Sequence, residues 1–242
     1  MKFEPQITFV QNQGRHNIDL GLSRERLKTA KSSEDLSTIC IIPNSGAIPT
    51  KAAQYWLTLA SPMNQKFLHL MINGREKNIV YNSTIAQILS DPISSPCKYI
   101  LTMEENIVPP VDGLLKLFEN IGKYDVVGGL IWQTGIENVH PMVYGQPEAI
   151  PANFLPIPIE KDQVIPCRGL STGFTLFKAD IFRDPRVPAP WFRTNVFAEA
   201  GSKKSRIPDM CFFENIMRFG YKVACDTRVR VGNIDAENSI VW

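Results

Sequence analysis

The chain reads as an α/β protein: a doubly wound, mostly parallel central sheet with helices on both faces and a smaller antiparallel elaboration in the second half. Three observations predict this. Short apolar runs alternate with segments of helical period between Thr38 and Ile131. Those runs are continuously apolar, as strands are when helices cover both faces of their sheet. The chain has 242 residues, 44% of them hydrophobic and 21% charged, enough to bury one sizeable core.

In order, the pattern predicts a strand over Thr38 to Ile42, a helix over Lys51 to Ala60, a strand over Lys66 to Ile72 and a helix over Asn78 to Leu89. A strand over Tyr99 to Met103, a helix over Val111 to Asn120 and a strand over Asp125 to Ile131 follow. Beyond Trp132 the texture changes, and prolines crowd between Pro141 and Pro166. The expected elements there are a strand over Phe174 to Phe177, a short helix over Ala179 to Phe182 and a loop from Thr194 to Pro208 carrying Gly201, Lys203, Lys204 and Arg206. A helix over Met210 to Phe219, stopped by Gly220, then precedes two strand pieces, Lys222 to Ala224 and Val229 to Val231. Residues 1–36, polar and basic around Arg24, Arg26, Lys28 and Lys31, are expected to form an N-terminal extension. Residues 37–242 are expected to form one domain, in two halves, 37–132 and 133–242.

Composition excludes several classes. Lys and Arg number 26 against 24 Asp and Glu, too even a balance for a general nucleic-acid binder, which displaces counterions with excess cations. The five cysteines are scattered, odd in number and lack a C-x-x-C pair, so buried free thiols are expected rather than a disulfide framework or zinc knuckle. No apolar run approaches the roughly 20 residues that cross a bilayer, and Met1 to Arg15 lacks the apolar centre of a secretory signal. A soluble, cytoplasmic protein without a transmembrane segment is expected. His16, His69 and His140 are scattered, and His69, in an apolar run, reads as a core histidine.

The candidate site residues lie where strands end. After the first strand comes Pro43-Asn44-Ser45-Gly46, with one glycine where phosphate-cradling loops carry several, which disfavours a dinucleotide fold, a P-loop or a sugar-phosphate nucleotidyltransferase. Asn44 and Ser45 fit a turn with an N-cap or a nucleotide contact equally well. The third strand ends in Glu104-Glu105-Asn106. In an extended segment, side chains two apart point the same way, so Glu104 and Asn106 could share one ligand while Glu105 turns elsewhere. Their oxygens suit Mg2+ or Mn2+ bound with substrate phosphates, and the alternative is a cap ahead of the helix at Val111. Asp209 opens a helix as either a cap or a general base. Asn233 and Asp235 follow a strand as further oxygen ligands or simply as a turn.

Taken in order, these pieces resemble the family 2 type glycosyltransferases of the GT-A fold. The similar segments are Ile39 to Pro43, Val80-Tyr81-Asn82, Tyr99 to Pro110, Asp125 to Gly129, Ser171 to Phe177 with Asp180 to Phe182, Pro190-Trp191-Phe192, and Pro208 to Phe213 through Val223 to Asp226-Thr227. The resemblance spans roughly residues 38–235. It implies transfer of a sugar from a nucleotide diphosphate donor, UDP- or GDP-linked, to the hydroxyl of a glycan or other acceptor by a hexosyltransferase-like enzyme. Glu104 to Asn106 occupy the place of the family's Asp-x-Asp, so Glu104, Asn106 and Asn233 would hold a divalent cation, Mn2+ or Mg2+. Pro43, Asn44, Ser45, Asn82, Glu104, Thr172 and Gly173 would contact the donor, and Asp209 would be the base of an inverting reaction. Trp191 would lie by the acceptor, with Lys203, Lys204 and Arg206 on a closing loop; a solvated tip is the alternative for that loop.

The chain departs from the family at three places: Asn106 where a carboxylate is usual, Asn233 where many members have histidine, and Tyr81 where arginine commonly precedes the retained asparagine. Each departure weakens cation binding or neutralisation of the diphosphate. A catalytically silent nucleotide-sugar or glycan-binding module is therefore the alternative function.

Overall fold

A computed structural model of the chain describes residues 21–22, 25–26, 37–62, 66–74, 76–133, 140–150, 153–193, 196–199, 202–205, 208–234 and 240–241. Most of the expected N-terminal extension lies outside them. The strands are β1 (Thr38–Asn44), β2 (Phe67–Asn73), β3 (Tyr99–Met103), β4 (Ile107–Val108), β5 (Val126–Gln133), β6 (His140–Pro141) and β7 (Val143–Tyr144), followed by β8 (Val164–Pro166), β9 (Gly169–Leu170), β10 (Phe174–Lys178), β11 (Val196–Glu199), β12 (Ser202–Ser205), β13 (Val223–Ile234) and β14 (Ile240–Val241). The helices are α1 (Thr50–Thr58), α2 (Lys77–Ser90), α3 (Gly113–Asn120), α4 (Asp180–Arg183) and α5 (Pro208–Arg218).

The central sheet runs β14-β13-β5-β10-β3-β1-β2, with β4, β6 and β8 attached beside it. β1 pairs in parallel with β2 and β3, and β13 pairs in parallel with β5. β10 is antiparallel to both its neighbours, β3 and β5. The fold is thus mixed α/β with a mostly parallel core.

The buried strands form for the reason their composition suggests: every residue of β3 is buried, as are the first six of β5, so both sheet faces are covered. Alternate side chains feed two cores. Ile39 and Ile41 of β1 join Tyr81 and Ile85 of α2 and Phe212 and Phe213 of α5 on one face. Cys40 and Ile42 join Trp56 of α1 and Leu114 and Phe118 of α3 on the other. Cys40, Cys97, Cys167 and Cys225 are buried free thiols.

Three expectations are corrected. The two strand pieces near the end are one strand, β13, with a register shift between Asp226 and Arg230. Buried Asp226 holds that irregularity by accepting from Arg228 at 2.6 Å and from Asn120 at 2.9 Å, while Arg228 also pairs with Glu119 at 2.9 Å. Inside the segment read as a loop, β11 and β12 form an antiparallel pair from Val196↔Ser205 to Glu199↔Ser202. His69 is not in the core: β2 is an edge strand, and His69 is exposed on it, packed edge-on against Phe67 at 4.6 Å.

An aromatic cluster fixes α5 to the sheet. Phe212 stacks on Phe182 at 5.5 Å and 8°, and meets Phe192 at 4.7 Å and Phe177 at 5.9 Å. It is fully buried. Truncating it leaves a cavity that these rings and Phe213, 5.7 Å away, cannot all collapse into. Phe212→Ala is expected to lower unfolding free energy by about 3–5 kcal/mol in denaturant titrations.

Candidate functional site

Because β10 runs against β3, the residues that precede β10 meet those that follow β3. The register sets Phe174 opposite Met103. One step further out, the Glu104 amide donates to the Gly173 carbonyl at 3.0 Å. A Cβ on Gly173 would lie 2.8 Å from Ile131 Cδ1, so glycine allows this close approach. Next to it, the Thr172 hydroxyl donates to Asp209 Oδ2 at 2.9 Å, and its amide reaches the same oxygen weakly at 3.5 Å. Glu104, Thr172, Gly173 and Asp209 therefore share one mouth at the end of the sheet.

Beside this mouth, a cleft of about 190 Å3 is lined by Pro43, Asn44, Ser45, Gly74, Lys77, Glu104, Glu105 and Asn106. The segment after β3 is a turn closed by Ile107 N–H on the Glu104 carbonyl at 3.2 Å, not the extended run expected. All three side chains of Glu104-Glu105-Asn106 consequently line the cleft. Glu105 does not turn away but holds the loop after β1, accepting from the Ser45 amide at 2.7 Å and hydroxyl at 3.0 Å. Gly46, at φ 103°, donates its amide to Asn44 Oδ1 at 3.0 Å and so closes an Asx turn.

Asn106 and Asn233 are brought together as well. β4 pairs with the end of β13, and Trp56 secures β4 by donating its indole N–H to the Ile107 carbonyl at 2.8 Å. Asn106 Nδ2 donates to Asn233 Oδ1 at 2.7 Å, and the Ile234 amide donates to the Asn106 carbonyl at 2.9 Å. Asp235 lies outside the described residues.

Among the described residues, Glu104, Asn106 and Asn233 together do not fit a divalent cation. Among the described residues no group of three or more His, Cys, Asp or Glu could hold one. Of the expected ligands, Glu104 is the one carboxylate, and its Oε2 is 2.5 Å from the Lys77 ammonium. Asn106 and Asn233 are neutral amides, and Asn233 Oδ1 already accepts from Asn106 Nδ2. Mg2+ and Mn2+ favour sites with more oxygen donors, carboxylates foremost.

Asp209 is half-buried, and its carboxyl is raised to about 6. Burial is the main cause and the negative charge of Glu104 the next, against which the Thr172 hydrogen bond and the Lys77 charge act. Tyr81 lies within reach of the charges of both Glu104 and Asp209. It is 1% exposed, its hydroxyl has no hydrogen-bond partner of ordinary geometry, and burial followed by the charges of Glu104 and Asp209 pushes its phenol well up. Sequence reasoning missed Lys77 altogether and noted Tyr81 only as a departure. A lysine beginning a helix looks like any solvated residue until the fold sets it against Glu104.

Other expected site residues sit elsewhere. Asn82 does not reach the cleft: its amide clamps the backbone of Phe192, donating to the carbonyl at 2.7 Å and accepting from the N–H at 3.0 Å. Trp191 is 7% exposed, packs edge-on against Phe182 at 5.4 Å and donates to the Val187 carbonyl at 3.0 Å, so its ring builds the interior instead of facing an acceptor. Lys203 and Lys204 fall on β12, of which the backbone alone is described, and Arg206 lies outside the described residues. No described helix is long and apolar enough to cross a membrane.

Neither a family model nor a curated protein matches the chain. Among solved structures, A197 from STIV superposes with a TM-score of 0.57 over 85% of this chain and 93% of its own, at 13% identity. GalNAc-T7, solved with UDP, GalNAc and Mn2+, superposes with a TM-score of 0.54 over 83% of this chain at 10% identity; the match covers 44% of that longer chain. At such identities the likeness concerns the fold, a mixed α/β architecture similar to that of a GT-A glycosyltransferase.

The raised carboxyl of Asp209 has a measurable cost. The unfolded chain ionises this group in the ordinary carboxylate range and the native state only near 6. Native stability is therefore lost as pH rises through that window and is unaffected below it. Asp209→Asn removes the cost. It is expected to stabilise the fold at pH 7 by up to about 3 kcal/mol, a gain that disappears below about pH 4 in parallel denaturation series.

Proposed function

We propose that the protein is a glycosyltransferase that moves a sugar from a UDP- or GDP-linked donor to an acceptor hydroxyl with inversion, using Asp209 as the base. The observation that carries this reading is that grouping: the half-buried carboxylate of Asp209 lies on Thr172 and near Glu104, which in turn lines the cleft at the ends of β1 and β3. Open α/β sheets take their ligands at the carboxyl ends of their strands. A nucleotide-sugar ligand is in keeping with the fold, since GalNAc-T7, which shares it, was solved with UDP, GalNAc and Mn2+.

On this reading, the nucleotide diphosphate lies along Asn44, Ser45 and the Glu104 to Asn106 turn, with the sugar over Thr172 and Gly173. The acceptor oxygen bonds to the anomeric carbon as the bond from that carbon to the diphosphate oxygen breaks. The electron pair departs with the diphosphate, and the acceptor proton passes to Asp209. A carboxyl near 6 is ionised at neutral pH yet more basic than an exposed one, which suits it to accept that proton. Thr172 aims the carboxylate by its hydrogen bond.

Donor hydrolysis and transfer, assayed with a panel of UDP- and GDP-sugars, test the proposal. Asp209→Asn is expected to lower turnover by roughly 10^2–10^4-fold while leaving donor-induced thermal stabilisation in place. The parent rate should rise with pH through about 6 as Asp209 ionises. A parent that is stabilised by a nucleotide sugar but never turns it over is the binding module instead. A panel in which no donor shifts the melting temperature would sink both readings.

A further inference from the structure

We propose that Lys77, not a divalent cation, neutralises the donor diphosphate, so that the protein binds and uses its donor without metal. This rests on the glycosyltransferase reading and assigns the charge partner within the same cleft. Departure of a nucleoside diphosphate puts negative charge on its oxygens, and some fixed positive charge must meet it.

Lys77 lines the cleft together with Gly74, Asn44 and Ser45, and its side chain is 57% exposed, so the ammonium can reach an incoming ligand. It is the first residue of α2, whose N-terminus has no side-chain cap hydrogen bond, so the positive end of the helix dipole adds to the charge there. Its ammonium rests on Glu104, which is 16% exposed and is the one carboxylate among the three expected cation ligands. A dication at Glu104 would have to displace that ammonium and, among the described residues, would then find Glu105, whose carboxylate holds the Ser45 loop, and the neutral amides of Asn106 and Asn233. A diphosphate needs no such displacement: Lys77 can swing from Glu104 onto a phosphate oxygen, exchanging one charge-assisted hydrogen bond for another. In the empty cleft Glu104 keeps the ammonium at the entrance, and in the loaded one it limits how firmly the phosphate is held.

The two accounts predict opposite behaviour at Glu104, because a carboxylate that competes for Lys77 weakens diphosphate binding whereas a carboxylate that ligates metal is required for it. Titration calorimetry of the full chain with UDP, GDP and the corresponding nucleosides, in chelator and in Mn2+, separates them. We expect UDP or GDP to bind in chelator within about threefold of its affinity in Mn2+. Lys77→Ala should weaken that binding at least about tenfold while nucleoside binding and melting temperature hold, and Lys77→Arg should recover most of the loss. Glu104→Gln should bind the diphosphate in chelator at least as tightly as the parent does. Diphosphate binding that appears only with Mn2+, or that Glu104→Gln abolishes, overturns the inference and leaves the transferase reading standing. A parent that binds neither nucleoside diphosphate under either condition overturns both.

Discussion

Strand β10 runs against both its neighbours, and the site depends on that reversal. In a wholly parallel sheet, the residues preceding a strand lie at the opposite end from those following its neighbour. Here the antiparallel pairing of β10 with β3 sets the start of one against the finish of the other, with Phe174 opposite Met103. Thr172 and Gly173 then have nowhere to be except against Glu104. Asp209 is delivered to Thr172 from a third direction by α5, which the phenylalanine cluster fastens to the underside of the same strand. Hydrophobic packing thus positions a carboxylate that, on its own, would choose water.

Two kinds of polar contact follow from this arrangement. Away from the mouth, Asp226 accepts from Arg228 and Asn120 while Arg228 also pairs with Glu119, and this set holds the register of β13. At the mouth, partners are fewer. Asp209 has Thr172, Tyr81 has no well-formed hydrogen bond, and Glu104 has an ammonium on a flexible stem. Incomplete satisfaction close to an opening is where a ligand has most to add.

The parts of this fold legible from the amino acids were those decided by hydrophobic period. β1, β3 and β5 are uninterrupted apolar runs, and α2 and α5 stand close to where the pattern put them. β13 was not legible as one strand, because Asp226 and Thr227 look like a turn until Asn120, Arg228 and the carbonyls of Glu160 and Gln163 are seen to satisfy them. The β11–β12 pair was hidden by glycine and lysine, residues that strands seldom favour. Within the site, Glu104 and Asp209 could be named from their places at a strand end and a helix start, whereas Thr172 and Gly173 were named by resemblance alone. The partnership of Lys77 with Glu104 spans 27 positions and leaves no periodic trace. Asn82 and Trp191 were placed by resemblance, yet hydrogen bonds to main-chain groups claim both.

The grip of Asn82 on Phe192 has a wider implication. A carboxamide offers one donor and one acceptor in the same spacing as a peptide group, so Asn82 greets residue 192 much as an adjoining strand would. That recognition is blind to what side chain residue 192 bears. The aromatic ring could drift to another bulky shape in related chains without loosening the tether, whereas an exchange of the asparagine for leucine, similar in bulk, would strip two buried backbone groups of their partners at once. Of the two positions, the less conspicuous one is the harder to replace.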